Sequence, residues 1–154
     1  MVNDVAVKQG LLPLIVAAVC QTESNYRADA FRHEPQFWLR YMAKNPAYAA
    51  LHPRRYSSSY GLMQVMWVAA VEDGHDATLP PESLFVPEVG LVAGCRRLKR
   101  CIDWARQFRT VSDKDRLLGA LAAYNGGMNS SQAPPNPRNI KYALRVWQHL
   151  QELS

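Results

Sequence analysis

The sequence predicts an all-α domain, and three observations carry that prediction. Apolar residues recur at steps of three and four along most of the chain, the spacing that lays one buried stripe on a helix. No segment alternates apolar and polar residues for long enough to make a half-buried strand. Starts and stops fall where the periodic runs begin and end, at Pro13, Asp113, Gly126-Gly127 and Pro134-Pro135-Asn136-Pro137. With 154 residues, 48% of them apolar and 20% charged, the chain can bury one core of ordinary size, so residues 1–154 are expected to form a single domain.

The elements follow in order. Pro13 suits the first turn of a helix through Leu14, Val16 and Val19 that ends near Ser24. Residues 61–72 read as a second helix, stopped near Gly74. Leu91, Cys95, Leu98, Ile102 and Ala105 form a buried stripe with Arg96, Lys99, Arg100 and Asp103 outside it. Asp113 is the expected N-cap of a helix through Leu117, Leu118, Leu121 and Tyr124, which Gly126-Gly127 ends. Ile140, Ala143, Leu144, Trp147 and Leu150 mark a last helix.

Composition excludes some classes. The longest apolar run, residues 11–20, is interrupted by Pro13, and spanning a bilayer takes roughly 20 residues. Only Lys8 against Asp4 precedes that run, and Val19 is too large for a cleavage site, so an export signal is not expected and synthesis in the cytoplasm is. Cys20, Cys95 and Cys101 are read as free thiols, no Cys/His spacing suits zinc, and no metal or cofactor is expected. The net charge of +5 is uneven: residues 26–60 hold six Arg/Lys against two acids, and residues 96–109 hold six against one. Two basic patches point to an anionic polymer or surface.

Residues 25–60 are also aromatic, with Tyr26, Phe31, Phe37, Trp38, Tyr41, Tyr48, Tyr56 and Tyr60 interleaved with arginines. Such rings either build the core of a small helical subdomain or line a wall on which sugar rings or bases stack.

Glu23 is the residue to explain. It ends an almost wholly apolar helix, three and four residues beyond Cys20 and Val19, so its face points partly toward the core. Burial raises a carboxyl pKa and favours the protonated form, which a general acid requires. Three segments then occur in order: Gln21-Thr22-Glu23-Ser24, Ser59-Tyr60-Gly61-Leu62-Met63-Gln64-Val65-Met66, and Ala122-Ala123-Tyr124-Asn125-Gly126-Gly127. Together they resemble the signature motifs of the soluble lytic transglycosylase domain, the goose-type-lysozyme-like family that cleaves peptidoglycan. The resemblance covers roughly residues 11 to 150.

The resemblance implies a lysozyme-like helical fold with a substrate cleft, here carrying an aromatic and basic insertion. It implies Glu23 as catalytic acid/base, Gln64 with the main chain of Met63 to Met66 as the cleft floor that binds the sugar, and Tyr60 as a further substrate-binding residue. Tyr124 would orient the Glu23 carboxyl, Asn125 would support that turn, and Ser24 would hold the helix end. Ordinary glycosidases use two carboxyl groups, and Glu34 is the candidate for a second, although it can instead pair with Arg32 or Arg27. A single-acid mechanism fits the motifs better. In it Glu23 protonates the oxygen between N-acetylmuramic acid and N-acetylglucosamine, then takes the proton of the muramoyl C6 hydroxyl as a 1,6-anhydro ring closes. A muramidase using water is the alternative, and a non-catalytic wall- or nucleic-acid-binding helical module is the alternative from another class. The expected partner is the glycan strand of an anionic cell wall, met by a monomer, with no nucleic acid expected. Tyr26-Arg27 replaces the family's common Asn-Pro, and residues 25–60 form a longer connection with Arg32-His33-Glu34-Pro35. Such connections are similar to those of phage-borne members, whose enzymes reach the wall through a virion or a membrane lesion.

Overall fold

A computed structural model describes residues 1–154. The chain divides into two compact units, one made of residues 1–22 and 95–154, the other of residues 23–94. It is helical over 62% of its length, with one small sheet, so the all-α expectation holds in its main part.

The first unit opens with α1 (Val2–Lys8), a helix the periodicity did not announce, which buries Val5 and Ala6. Next comes α2 (Pro13–Ser24), starting at Pro13 as expected, because proline lacks only a donor that the first turn leaves unpaired anyway. Ile15, Val16, Ala18, Val19 and Cys20 of α2 are buried. Further along, α6 (Pro87–Ala105) contributes its second half, with Cys95, Leu98, Cys101 and Ala105 buried as its stripe predicts. The cap of α7 (Asp113–Gly126) corrects the sequence reading. Ser112, not Asp113, is the N-cap, its hydroxyl accepting from the Asp115 N–H at 3.0 Å. Asp113 stands inside the first turn, where its charge faces the positive helix end and pairs with Arg116. The other end follows expectation, with Gly127 at φ +86° and its N–H on the Ala123 carbonyl. Lastly α8 (Ile140–Leu153) packs on α7 and buries Tyr142, Ala143 and Val146.

The second unit departs further from the sequence reading. It holds a three-stranded antiparallel sheet, β1 (Phe31–His33), β2 (Ser58–Tyr60) and β3 (Val65–Met66), in the order β1-β2-β3. Phe31 faces Tyr60 and His33 faces Ser58, while Tyr60 pairs with Val65 on the other side. Strands of three, three and two residues are too short to show any alternation. Between β1 and β2 lie α3 (Pro35–Phe37), a π-helical stretch (Trp38–Met42), a 3-10 turn (Pro46–Tyr48) and α4 (Pro53–Tyr56). The helix expected over residues 61–72 is instead a turn, β3 and a short α5 (Trp67–Glu72). Gly61 (φ +69°) and Gln64 (φ +48°) are left-handed, a conformation that stops a helix and reverses the chain into β3. A 3-10 turn (Pro81–Phe85) and the first part of α6 complete the unit.

Candidate active site

Within the second unit, the end of α2 is fixed by one turn of chain. Ser24 is buried and its hydroxyl donates to the Leu62 carbonyl at 2.8 Å. That bond ties the residue after Glu23 to the turn at residues 61–64. The turn is fastened to the segment leaving α2 as well. Gln64 Nε2 donates to the carbonyls of Ala30 and Gly61, both at 3.0 Å, and the Gly61 N–H donates to Ala30 at 2.8 Å. Glu23 itself is half-buried.

The chain leaves α2 through two consecutive left-handed residues, Asn25 (φ +49°) and Tyr26 (φ +60°). Asparagine tolerates that region, but for a ring-bearing residue it is an outlier costing about 1–3 kcal/mol. Tyr26 is 44% exposed, so core packing does not account for the strain. Backbone strain of this kind persists where surrounding structure over-determines it, and such positions cluster at functional sites. With Gln64, all three positive-φ residues other than glycine lie beside Glu23 in sequence or in the turn that its neighbour Ser24 grips.

The other candidates fall out unevenly. Met63 is fully buried, main chain and side chain alike, so it supports the turn from beneath rather than facing a ligand. Met66 pairs with Ser59 and caps α5 in extended conformation. Tyr60, taken from the motif as a substrate-binding residue, is 1% exposed and its hydroxyl donates to the Arg55 carbonyl at 2.6 Å. Burial pushes that hydroxyl up to about pKa 12, so it stays protonated. Tyr60 is a core ring, edge-on to Phe31 at 5.3 Å and to Phe85 at 5.0 Å, and its place in the second motif reflects packing rather than ligand contact.

Glu34 lies beyond the far end of β1, with its N–H on the Ser57 carbonyl. At ~3.3 Å per extended residue, that is about 13 Å along the strand from the Ala30 carbonyl that Gln64 grips. Its carboxylate accepts from Arg32 Nε at 2.5 Å, the pairing that the sequence offered as its alternative role. Asp29 likewise pairs with Arg27, whose guanidinium holds the Asp29 carboxyl below its ordinary range.

In the first unit, the Tyr124 ring packs near the end of α7 against Cys101, Ala105, Ala120 and Ala123, with Trp104 and Met128 beside them. Asn125 is exposed, and its Oδ1 accepts from Asn139 Nδ2 at 2.9 Å. Gly126 leaves room for the two amides behind it: a Cβ would lie 2.4 Å from Asn139 Nδ2 and 2.5 Å from Gln132 Nε2, so both side chains would have to shift. Gln132, buried, accepts from the Asn139 N–H through its Oε1, so the third motif is braced from the N-terminus of α8. Sequence reasoning missed Gln132, the last residue of a 3-10 turn (Ser130–Gln132), and Asn139, the N-cap of α8, because neither belongs to a periodic run.

A helical fold of lysozyme-like class, with a half-buried glutamate at a clamped helix end, is what these observations define. A family model described as the transglycosylase SLT domain matches residues 1–142, and the chain belongs to that family. It is therefore an enzyme of the peptidoglycan lytic transglycosylase class, a lyase acting on peptidoglycan. The match begins at residue 1 and so takes in α1, which the motif resemblance left out. No curated protein sequence matches the chain.

Proposed function

We infer that Glu23 is the single general acid/base of a lytic transglycosylase that cuts the β-1,4 bond between N-acetylmuramic acid and N-acetylglucosamine. The observation that carries this reading is the clamp on its helix end: Ser24 on the Leu62 carbonyl, Gln64 on the Ala30 and Gly61 carbonyls, and the strained Asn25-Tyr26 exit. A catalytic carboxyl needs this immobility, because small errors in the position of a proton donor cost large factors in rate.

In the proposed sequence the protonated Glu23 gives its proton to the glycosidic oxygen as the bond to muramoyl C1 breaks. The positive centre at C1 is relieved by the substrate's acetamido group or by backbone dipoles of the 61–64 turn. Glu23, now a carboxylate, takes the proton of the C6 hydroxyl while that oxygen bonds to C1, closing the 1,6-anhydro ring. The nucleophile belongs to the substrate, so its entropy is already spent and no second protein base is needed. The commitment of Glu34 to Arg32 supports the single-acid form. Tyr124 is the proposed partner hydroxyl for Glu23, Gln64 with the main chain on to Met66 the sugar-binding floor, and Asn125 a brace of the third motif.

The test is Glu23→Gln, which keeps shape and hydrogen bonding but removes the transferable proton. General acid catalysis is worth on the order of 10²–10⁴ in rate, so release of soluble glycan from purified walls should fall at least about a hundredfold, with an unchanged circular dichroism spectrum. Near-wild-type release would remove Glu23 from the mechanism.

A further inference from the structure

Five arginines of the connection between the first two motifs read alike in sequence, and the structure sorts them. Arg27 holds Asp29, Arg32 holds Glu34, and Arg55 holds both oxygens of Glu82 at 2.6 and 2.7 Å. Arg40 is exposed on the π-helical stretch. Arg54 meets no carboxylate; its guanidinium lies over the Phe31 ring, 5.7 Å from the centroid. Phe31 is 40% exposed on one side and edge-on to buried Tyr60 on the other.

The backbone that presents Arg54 is held at three successive carbonyls. Ser57 donates to Pro53 at 2.8 Å, Ser58 to Arg54 at 2.5 Å and Tyr60 to Arg55 at 2.6 Å, all from buried side chains. A four-residue helix would otherwise fray. Here three of its four carbonyls are satisfied by side chains, Arg55 is locked onto Glu82, and Arg54 projects over a ring that restrains it. A guanidinium pre-ordered in this way loses less freedom on binding than a free surface arginine. Phe31 also directly follows Ala30, whose carbonyl Gln64 and Gly61 grip, so the pair stands one residue from the clamp on the Glu23 helix end.

We propose that Arg54, held by Phe31, is a recognition site for a carboxylate carried on the muramoyl side branch of the glycan strand. This deepens the assignment to peptidoglycan: it names an anionic substituent, not the sugar ring, as what this face reads. The carboxylate has two sources, the stem peptide or the lactyl group exposed when the stem is removed. Arginine's planar fork matches a carboxylate with two parallel hydrogen bonds, which a neutral sugar cannot return.

The test measures equilibrium binding by fluorescence anisotropy in the Glu23→Gln background, so that strands are not consumed. Three labelled glycans of equal length serve as probes: stem-bearing strands, strands stripped of stems by an amidase, and a neutral chito-oligosaccharide. Arg54→Gln is expected to weaken binding of carboxylate-bearing strands roughly five- to tenfold and to leave the neutral oligomer within about twofold. A loss confined to stem-bearing strands assigns the stem carboxylate, and a loss on stripped strands assigns the lactyl group. Arg40→Gln removes the same charge from an exposed arginine without a ring and should change none of the three. Equal losses on all three glycans, no loss on either anionic strand, or an equal loss from Arg40→Gln would overturn the proposal. Residual cleavage by Glu23→Gln would instead overturn the acid assignment, and it is read from products rather than from binding.

Discussion

Glu34 and Tyr124 carry opposite expectations in the two possible chemistries. With one acid, Tyr124→Phe removes the hydroxyl proposed to orient Glu23, and losing such a bond costs about 1–3 kcal/mol, or one to two powers of ten in rate. Glu34→Gln should then stay within a few-fold, since Glu34 serves Arg32. With water as nucleophile and Glu34 activating it, the ranking reverses. Rates for both variants on one purified glycan decide, and an inactive Glu34→Gln beside a near-normal Tyr124→Phe would defeat the single-acid mechanism. Single residues stood out in the sequence where their chemistry clashed with their place. Glu23 ends an apolar helix, and Ser24 beside it holds that end, as the resemblance implied. Tyr60 was not legible, because a tyrosine within a sequence motif looks the same whether its hydroxyl meets a ligand or the Arg55 carbonyl.

At the scale of elements, α6 is seated by small residues. A Cβ on Gly90 would lie 2.5 Å from the Leu84 carbonyl oxygen, and one on Gly61 would approach the same atom at 2.4 Å. Four residues on, a Cβ on Gly94 would meet the Met63 side chain at 2.4 Å. Alanine is favoured over glycine within a helix by about 1 kcal/mol, but overpacking costs about 1–3 kcal/mol. A backbone oxygen yields poorly, which puts the cost in the upper part of that range, so Gly90→Ala should lose about 1–2 kcal/mol net and lower the urea midpoint; an unchanged or higher midpoint would mean that α6 is not seated on Leu84. A second prediction concerns the tie between α4 and the 3-10 turn at Pro81–Phe85. The hydrogen-bonded Arg55 guanidinium holds the Glu82 carboxyl below its ordinary value of 4.5. A carboxyl lowered in the folded state stabilises above its unfolded value and loses that contribution as pH falls through the folded one. The drop in melting temperature caused by Arg55→Gln should therefore be present at pH 7 and shrink in acid, as pH falls below 4.5 and Glu82 takes up its proton. A drop of equal size at pH 7 and in acid would show that the charge on Glu82 is not what the tie uses. Long helices were legible because their stripes span many turns; β1, β2 and β3 were not, since two or three residues carry no period and their pairing is set by turns and by Phe31 on Tyr60.

Over the whole molecule, the net charge of +5 is less available than the sequence implied, because Arg27, Arg32 and Arg55 are spent on neighbouring acids and Lys99 and Arg106 on Asp103. The basic patches were visible as composition, but which cations remain for a partner depends on side-chain pairing that no spacing reveals. The class of the protein was legible as a whole, since three short motifs in order with helices between them constrain far more than any one does. No helix is long and apolar enough to cross a membrane. The central claim is that the glycosidic bond is cut by a single acid with the muramoyl C6 hydroxyl as nucleophile, and mass spectrometry of digested peptidoglycan tests it most directly. Wild-type enzyme should release muropeptides that are each lighter by one water than their hydrolytic counterparts, with no isotopic label incorporated when the digest is run in ¹⁸O water. Products with reducing muramoyl ends that carry ¹⁸O would contradict the account.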